Sequence, residues 1–330
     1  MVNKQVLLAS RPQGAVTPEN FRVVETPAPV PVDGEVLVRN EWLSLDPYMR
    51  GRMSDAKSYA ASVEVGAVMV GQTVGEVVDS CHPGFHKGDK VLTGLGWQLC
   101  GVAKGKELHL VDTTRVPASY YLGILGMPGM TAWFGLFEIG KPKVGETLVV
   151  SAASGAVGSV VGQLAKGEGL RVVGIAGGRE KCDYVVNELG FDACVDYKAG
   201  KLADDLKAAC PSGIDIDFEN VGGEILDTVL RAMNLRGRVI ICGFIAEYNA
   251  KEPYGYKAMR SILVNRLRIQ GMLVFDWKDR YDEALAGLGT RLAAGKLRYR
   301  ESVVEGLENA PHGLIDLLAG RNFGKQVVKL

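Results

Sequence analysis

A short glycine-containing segment, AASGAVG at 152–158, has the residue types of a turn that binds phosphate groups. An apolar run at 148–150 precedes it and predicts a buried strand, and apolar residues at helical spacing over 157–164 follow it. A strand, a glycine turn and a helix in this order direct the N–H groups at the start of the helix toward a pyrophosphate. The residues expected to hold that pyrophosphate through their backbone are Gly155, Ala156, Val157 and Gly158.

The end of the next predicted strand, at 171–176, carries no acidic residue, although enzymes that bind NAD usually place one there to hold the ribose 2′-hydroxyl. Two glycines follow the strand, and the cations Arg179 and Lys181 come directly after them. Small residues leave room for the 2′-phosphate of NADP, and cations pair with that phosphate. The pattern favours NADP(H) over NAD(H), with Glu180 left as a residue that could serve the ribose of NAD.

The composition is that of a globular protein with two domains and a full hydrophobic core. The chain has 330 residues, 47% of them hydrophobic, and no apolar stretch approaches the length of a membrane span. Its 38 basic and 38 acidic residues cancel, which argues against nucleic acid as a partner. The six cysteines are scattered, with no C-x-x-C pair, so we expect free thiols in a reducing cytoplasm.

The pattern of the sequence changes near residue 147. Short β-branched runs separated by glycines precede that point and indicate a β-rich region. Strand-like and helix-like segments then alternate, including a strand predicted at 269–275, which is typical of a parallel sheet covered by helices on both faces. The C-terminal residues are again β-rich and are expected to rejoin the first domain. The predicted fold class is therefore α/β, with a doubly wound parallel sheet and a separate β-rich domain.

Six further short motifs occur in order along the chain. They are SRP at 10–12, DPYMR at 46–50, GMPG at 126–129, NVGG at 220–223, ICG at 241–243 and NFGK at 322–325. With these motifs and the phosphate turn, the chain resembles the medium-chain dehydrogenase/reductase superfamily over essentially its whole length. Within it, the chain is most similar to the zinc-free branch of leukotriene/prostaglandin reductases and alkenal double-bond reductases, including bacterial NADPH-dependent curcumin reductases.

The resemblance implies a domain organisation and an activity. A discontinuous GroES-like catalytic domain would comprise 1–122 and 296–330, and a Rossmann NADP(H)-binding domain would comprise 123–295. The implied reaction is NADPH-dependent reduction of the carbon–carbon double bond of α,β-unsaturated aldehydes and ketones. A homodimer joined by edge pairing of the strand predicted at 269–275 is also implied.

The resemblance also assigns roles to particular residues. Lys181 matches a lysine that binds the 2′-phosphate, and Tyr197 matches its partner tyrosine, although a solvated charge and a packing residue are the plain structural interpretations. Asn220 and Asn322 match asparagines that reach the cofactor. The remaining implied cofactor contacts are Cys242, Gly243, Phe244, Tyr248, Met272, Leu273 and Val274.

The absence of a metal-ligand pattern fits the zinc-free branch. The nearest approach to a ligand cluster is Cys81 and His82 with His86, and we interpret this glycine- and lysine-rich segment as an exposed loop and expect no metal site. Without zinc to polarise a carbonyl, alcohol oxidation loses its main electrophile. Hydride addition to a conjugated alkene needs less help, because the charge spreads to an enolate oxygen that one or two hydrogen bonds stabilise.

Two tyrosines are the candidates for chemistry. Tyr248 corresponds to a tyrosine near the nicotinamide ribose, where it could stabilise the enolate or relay a proton to the α-carbon. Tyr48, in the β-rich domain, could donate to the substrate carbonyl. Either could instead line the cleft without a chemical role, and solvent could supply the α-proton. Two other functions stay open: an NADPH:quinone oxidoreductase, and a non-catalytic NADPH-binding protein.

Overall fold

The structure, a computed structural model, describes residues 2–330 and divides into two compact units. The β-rich unit comprises the chain up to Gly123 together with Glu301–Leu330, and the α/β unit comprises Ile124–Arg300. The strands within residues 2–330 are β1 (Val2–Leu8), β2 (Phe21–Pro27), β3 (Glu35–Ser44), β4 (Thr73–Ser80), β5 (Lys90–Thr93), β6 (Cys100–Lys104), β7 (His109–Leu110), β8 (Thr147–Ser151), β9 (Arg171–Ala176), β10 (Ala193–Asp196), β11 (Ile214–Glu219), β12 (Met233–Ile241), β13 (Arg268–Gly271), β14 (Glu301–Glu305) and β15 (Lys325–Lys329).

Helices occur in both units. The α-helices within the same range are α1 (Tyr48–Arg52), α2 (Met127–Phe134), α3 (Gly158–Gly167), α4 (Arg179–Asn187), α5 (Leu202–Ala209), α6 (Gly223–Ala232), α7 (Met259–Asn265), α8 (Tyr281–Ala293) and α9 (Ala310–Leu318). A π-helical segment, Gly135–Gly140, continues α2, and Tyr197–Ala199 and Val274–Arg280 form short 3₁₀ turns. Among residues 2–330, no helix has the length and apolarity needed to cross a bilayer.

The α/β unit contains a six-stranded parallel sheet with the order β10-β9-β8-β11-β12-β13. Strands β8 and β9 are buried on both faces, because helices cover the sheet on both sides. On one side α6 packs its apolar stripe, which includes Ile225 and Val229, against Val149 of the sheet. On the other side Gly135 lies against Phe218. This doubly wound Rossmann arrangement confirms the predicted fold class.

The β-rich unit contains a seven-stranded sheet with the order β14-β15-β3-β4-β5-β7, and β6 also pairs with β3. The pairs are antiparallel except β14 with β15. Because Val327 of β15 pairs with Ser44 of β3, the two ends of the chain share one sheet. Strands β1 and β2 form a separate antiparallel pair, and the buried Trp97 stacks on Phe21 beside them.

The prediction of a strand at 269–275 is wrong about where the strand ends. Strand β13 stops at Gly271, which pairs with Ile241, the last residue of the neighbouring β12. One further bond runs from the Met272 N–H to the Ile241 carbonyl, and the chain then turns because it has no strand left to pair with. Met272 and Leu273 therefore lie in an irregular connection, and Val274 begins the 3₁₀ segment.

Candidate active site

The order of the parallel strands reverses between β8 and β11, and this is where doubly wound sheets bind ligands. At the carboxyl ends of these strands, the side-chain amide of Asn220 donates to the Ser151 carbonyl (2.8 Å). The Asn220 N–H donates to the Ser151 hydroxyl oxygen (2.8 Å). The predicted phosphate turn after β8 and the NVGG turn after β11 are therefore held side by side.

The phosphate turn needs its second glycine for steric reasons. A β-carbon at Gly158 would lie 2.4 Å from the Ala152 carbonyl oxygen, a distance that forbids any side chain. Ala152 has a left-handed backbone (φ +50°), and the Gly155 N–H donates to its carbonyl (2.8 Å). The turn thus closes tightly and presents the start of α3, as expected for a pyrophosphate site. Gly155, Ala156 and Val157 lie between the turn and that helix.

Lys181 and Lys198 lie close enough beyond the end of β9 for their charges to interact, at the predicted site of the 2′-phosphate. Burial lowers the pKa of Lys181, and the neighbouring charge of Lys198 lowers it further. A β-carbon at Gly177 would lie 2.8 Å from the Tyr197 ring and 3.0 Å from the Lys198 side chain, so these residues cover the glycine directly. Lys181, Tyr197 and Lys198 are therefore brought together beside a strand end with no room for a carboxylate at Gly177.

Arg179 is the other cation predicted to pair with a 2′-phosphate, and that pairing stays a prediction. Its side chain is 92% exposed and pairs with Asp183 one turn along α4 (3.5 Å). A carboxylate, that of Asp196, is present at the end of β10. It accepts from the Gly178 N–H (2.8 Å) and the Lys198 N–H (3.0 Å), which ties the end of β10 to the end of β9.

Glu219 shapes the turn after β11 from within the protein core. Its Oε1 atom accepts from the Ser151 hydroxyl (2.6 Å) and from the N–H groups of Val221 (2.5 Å) and Gly222 (2.9 Å). Burial raises its pKa, against these hydrogen bonds. The sequence analysis missed Glu219, because one acidic residue at the end of a predicted strand is common and does not indicate a role.

The segment after β12 folds back on itself around Tyr248. The Phe244 N–H donates to the Tyr248 hydroxyl oxygen (3.4 Å), and a β-carbon at Gly243 would lie 3.0 Å from the same oxygen. The N–H groups of Cys242 and Gly243 donate to the Glu219 carbonyl (2.8 and 3.2 Å), so this segment begins beside the NVGG turn. Burial, with the Glu219 charge, raises the pKa of the Cys242 thiol to about 12, so Cys242 is a packing residue and not a thiolate.

A tyrosine–glutamate pair holds the rest of this segment in place. The Tyr256 hydroxyl donates to Glu247 (2.6 Å) and accepts from the Gly223 N–H (3.2 Å). Burial and this hydrogen bond to Glu247 raise the pKa of Tyr256. The pair therefore anchors the segment that carries Tyr248 to the first residue of α6.

The remaining predicted cofactor residues of the α/β unit lie after β13. Met272 and Val274 are buried, Leu273 is half-buried, and the Val274 carbonyl accepts from the Tyr281 hydroxyl (3.2 Å). Because these residues lie beyond the end of β13, backbone N–H and C=O groups that a longer strand would pair with its neighbour stay outside the sheet.

Tyr48 and Asn322 lie in the β-rich unit. Tyr48 begins α1 and packs against the core of that unit. Burial, and second the charge of Asp46, raise the pKa of its phenol, which favours the protonated form. The Asn322 amide donates to the Gly324 carbonyl (2.8 Å) just before β15. Beside them, Lys325 donates to Asp46 (2.6 Å) and to the Leu45 carbonyl (2.7 Å), a buried ion pair that joins the DPYMR and NFGK motifs.

No metal centre is found in the part of the chain that the structure describes: residues 2–330 contain no group of three or more His, Cys, Asp or Glu side chains placed to hold an ion. The segment with Cys81, His82 and His86 is a loop. There the Cys81 thiol donates to the Pro31 carbonyl, and the His82 Nδ1 accepts from the Gly84 N–H (3.0 Å).

Asp217, in the middle of β11, is a buried acid with no hydrogen-bonding role. It pairs with Val149 and Val239 on the two neighbouring strands, and its exposed fraction is 0%. Within residues 2–330, neither carboxyl oxygen has a hydrogen-bond partner. Burial, and second the charge of Glu219, raise the pKa of Asp217 well above its ordinary value. Burial without a hydrogen-bond partner therefore favours the neutral form of Asp217.

We expect the D217N variant to remove a pH dependence from stability. An acid whose pKa rises on folding contributes its full stability below the unfolded pKa, and loses it as pH rises through the folded pKa. Relative to D217N, the natural chain should lose up to about 1.4 kcal/mol of unfolding free energy per pH unit above about pH 4. Urea unfolding of both proteins across this range measures the difference, and parallel pH curves would contradict a neutral Asp217.

Comparisons with known proteins agree with this geometry. Residues 4–111 match the family described as the N-terminal domain of oxidoreductase, and residues 156–288 match the family described as zinc-binding dehydrogenase. The chain is 48% identical to the NADPH-dependent curcumin reductase of Escherichia coli, over 99% of this chain and 97% of that one. It is 43% identical to the NADP⁺-dependent 2-alkenal reductase of Nicotiana tabacum, with the same coverage. The crystal structure of CurA from Vibrio vulnificus in complex with NADPH superposes with a TM-score of 0.95, at 50% identity, covering 99% of this chain and 98% of that one.

Proposed function

The chain belongs to the zinc-independent reductase branch of the medium-chain dehydrogenase/reductase superfamily, and from this premise we propose that it reduces the carbon–carbon double bond of α,β-unsaturated aldehydes and ketones. It is an NADP-dependent oxidoreductase. The observation that carries the proposal is whole-length similarity to two relatives, one named for curcumin and the other for 2-alkenals. The physical support is a turn shaped for a pyrophosphate and a lysine pair beside it.

Most of the residues proposed to hold NADP(H) follow the carboxyl ends of the parallel strands, and Asn322 of the β-rich unit is added on the family resemblance. Backbone groups of Gly155, Ala156, Val157 and Gly158 hold the pyrophosphate, while Lys181 and Tyr197 hold the 2′-phosphate. Asn220, the segment from Cys242 to Tyr248, Met272, Leu273, Val274 and Asn322 complete the proposed set. When bound, NADPH supplies the hydride that goes to the β-carbon of the substrate. We also propose a catalytic domain of 1–122 with 296–330 and a cofactor domain of 123–295.

The chain's own task is to stabilise the enolate that hydride addition leaves. A phenol suits it, because a neutral O–H can donate to the developing oxyanion without first ionising. Tyr248 is the proposed donor, on a segment that Tyr256 and Glu247 anchor. Tyr48 is the second proposed donor, toward the substrate carbonyl. The α-proton comes from Tyr248 or from solvent, and no buried acid is needed.

Replacing Tyr248 with phenylalanine should lower kcat about tenfold and change the KM for the enal little, because one hydrogen bond to the transition state is lost. The measurement is steady-state NADPH oxidation with a medium-chain trans-2-alkenal. Tyr254, on the same segment, provides the matched control: Y254F should keep kcat within about twofold. A normal kcat in Y248F would assign protonation to solvent and reject the donor role.

The proposed reaction is tested against its alternatives by substrate choice. We expect NADPH oxidation with trans-2-alkenals and enones at rates well above those with simple quinones. Fast turnover of quinones with little on enals would make the protein a quinone oxidoreductase. Tight NADPH binding with no turnover of either class would make it a non-catalytic binder.

A homodimer is proposed from the exposed edge of the parallel sheet. Strand β13 lies at the end of the sheet, and its Ile269 side chain is exposed, as are Leu263 and Phe275 nearby. Unpaired edge strands with apolar side chains are ready to pair with a second copy. We expect light scattering to give twice the 35.4 kDa chain mass, and I269K to give the monomer. The control L110K, which changes an exposed leucine of the β-rich unit, should stay dimeric; a monomeric natural chain would refute the dimer.

The cytoplasm is the proposed compartment. All six cysteines are free thiols in the structure, which suits a reducing environment.

A further inference from the structure

A cavity of about 430 Å³ lies in the α/β unit at the amino ends of the parallel strands. Its lining includes Glu146, directly before β8, Asp215 near the start of β11, and Arg268, the first residue of β13. The phosphate turn follows the carboxyl end of β8, so the two sites lie at opposite ends of the same sheet. We propose that this cavity binds a small ligand carrying two or more phosphate groups, independently of the NADP(H) site.

The first argument is charge. Five of the lining residues are cations and two are acids, an excess of three positive charges in a chain whose formal net charge is zero. The cations are Lys141, Lys143, Arg236, Arg238 and Arg268. A local excess of this kind, in a concave site, concentrates anions.

Two of the five cations have structural tasks. Arg238 makes a two-pronged ion pair with Glu146 (2.8 and 2.6 Å) and donates to the Gly140 carbonyl (2.9 Å). Arg268 donates to the Ile139 carbonyl (2.5 Å). Both arginines thus cap the carbonyl groups that the π-helical segment leaves open at its end.

The two acids of the cavity are also committed to the fold. Glu146 holds Arg238 and accepts from the Lys143 N–H (2.9 Å), while Asp215 accepts from the Thr147 N–H (2.8 Å) and the Asn234 amide (2.8 Å). Neither carboxylate forms an ion pair with the side chain of Lys141, Lys143 or Arg236. The positive excess therefore persists after the internal contacts are counted.

The remaining cations, Lys141, Lys143 and Arg236, have no such task. In the described range 2–330, no carboxylate lies within ion-pair distance of their side chains. Lys141 and Arg236 also hold left-handed backbones (φ +47° and +63°), which cost energy for residues with a β-carbon. The other non-glycine residues with positive φ among residues 2–330 are Ala152 and Arg266. Lys141 is the C-cap of the π-helical segment, where a left-handed residue is common.

The strain at Arg236 has an identifiable origin in the sheet. Between two paired positions, β12 advances from Met233 to Arg238 while β11 advances only from Ile214 to Ile216. The extra residues of β12 form a bulge, and bulges are a common means of redirecting side chains toward a site. Here the bulge places Leu235 and Arg236 in the lining of the cavity.

The arrangement of donors indicates the ligand's chemistry. A guanidinium and two ammonium groups match the oxygens of linked phosphates, and three charges exceed what one monoanion would neutralise. Ile139 and Leu235 add an apolar part to the lining. The volume lies within the range of small-molecule sites. Inorganic polyphosphate and nucleoside polyphosphates share this phosphate chemistry.

The test is a calorimetric titration of the NADP⁺-saturated full chain, so that the probes cannot occupy the dinucleotide site. The probes are inorganic tripolyphosphate and ATP, at about 0.15 M salt. We expect one molecule to bind per chain, and the variant K143Q/R236Q to bind at least about tenfold more weakly. Glutamine keeps the β-carbon at the left-handed position. Tighter binding of ATP would identify a nucleoside ligand, and equal binding would identify the phosphate chain alone.

The matched control is R22Q/K207Q, which removes the same two positive charges at exposed positions elsewhere. It should bind the probes within about twofold of the natural chain. Both variants should bind NADPH as tightly as the natural chain does, which would show that they are folded. No binding by the natural chain, equal weakening in both variants, or equal affinity for citrate would overturn the proposal.

Discussion

Replacing Lys181 with alanine raises the KM for NADPH about 100-fold and leaves the KM for NADH within about twofold. The reason lies in the two lysines beyond β9, whose charges interact. Burial, and second the charge of Lys198, lower the pKa of Lys181, because both disfavour its charged form. An anionic phosphate would offset this unfavourable free energy. NADH carries no 2′-phosphate and gains nothing from the lysine.

The measurement is initial rates with each nucleotide at a fixed, saturating enal concentration. R179A is the matched control, because Arg179 lies on the same turn of α4, is 92% exposed and pairs with Asp183. It should leave both KM values within about twofold. The K198A variant should weaken NADPH selectively, as K181A does. An equal rise in the KM for NADPH and NADH in K181A would show a general loss of structure and contradict the assignment.

Replacing Lys325 with methionine costs about 3–5 kcal/mol of unfolding free energy. The side chains of Lys325 and Asp46 are only 1% and 6% exposed, and their charged atoms lie 2.6 Å apart. Methionine keeps most of the side-chain volume, so the cost comes from an aspartate left charged in the core of the β-rich unit. Urea unfolding measures the loss.

A double-mutant cycle separates the charge from the packing. If the orphaned charge is the cause, D46N should restore about half of the stability in the K325M background. The exposed ion pair of Arg321 with Asp316 is the control, since R321M should cost less than about 1 kcal/mol. A small cost for K325M itself, or no rescue by D46N, would mean that the buried pair does not hold the two motifs together.

Local patterns predicted the parts of this structure that depend on neighbouring residues. The phosphate turn, the parallel sheet and the approach of Lys181 to a strand end follow from periodicity, glycine placement and residue type within short windows. The sequence places two cations after the glycines but does not say which of them the helix leaves exposed. In the structure Arg179 is 92% exposed, whereas burial and the charge of Lys198 lower the pKa of Lys181.

Contacts between distant segments could not be predicted in this way. Lys325 and Asp46 are 279 positions apart, and nothing local in either motif indicates the other. The end of β13 depends on where its partner β12 stops, which its own apolar sequence does not show. Glu219 and Asp217 read as ordinary alternating strand residues, and only the packed sheet reveals that both are buried. The bulge at Arg236 is likewise a property of two paired strands.

The measurement that tests the central claim most directly is the product of one reaction. The pure protein is incubated anaerobically with NADPH deuterated at the transferred position and a medium-chain trans-2-alkenal, and the products are identified by mass spectrometry and NMR. The account predicts a saturated aldehyde with the deuterium on the β-carbon. An allylic alcohol, with the deuterium on the former carbonyl carbon, would contradict it, because hydride would then have been added to the carbonyl group.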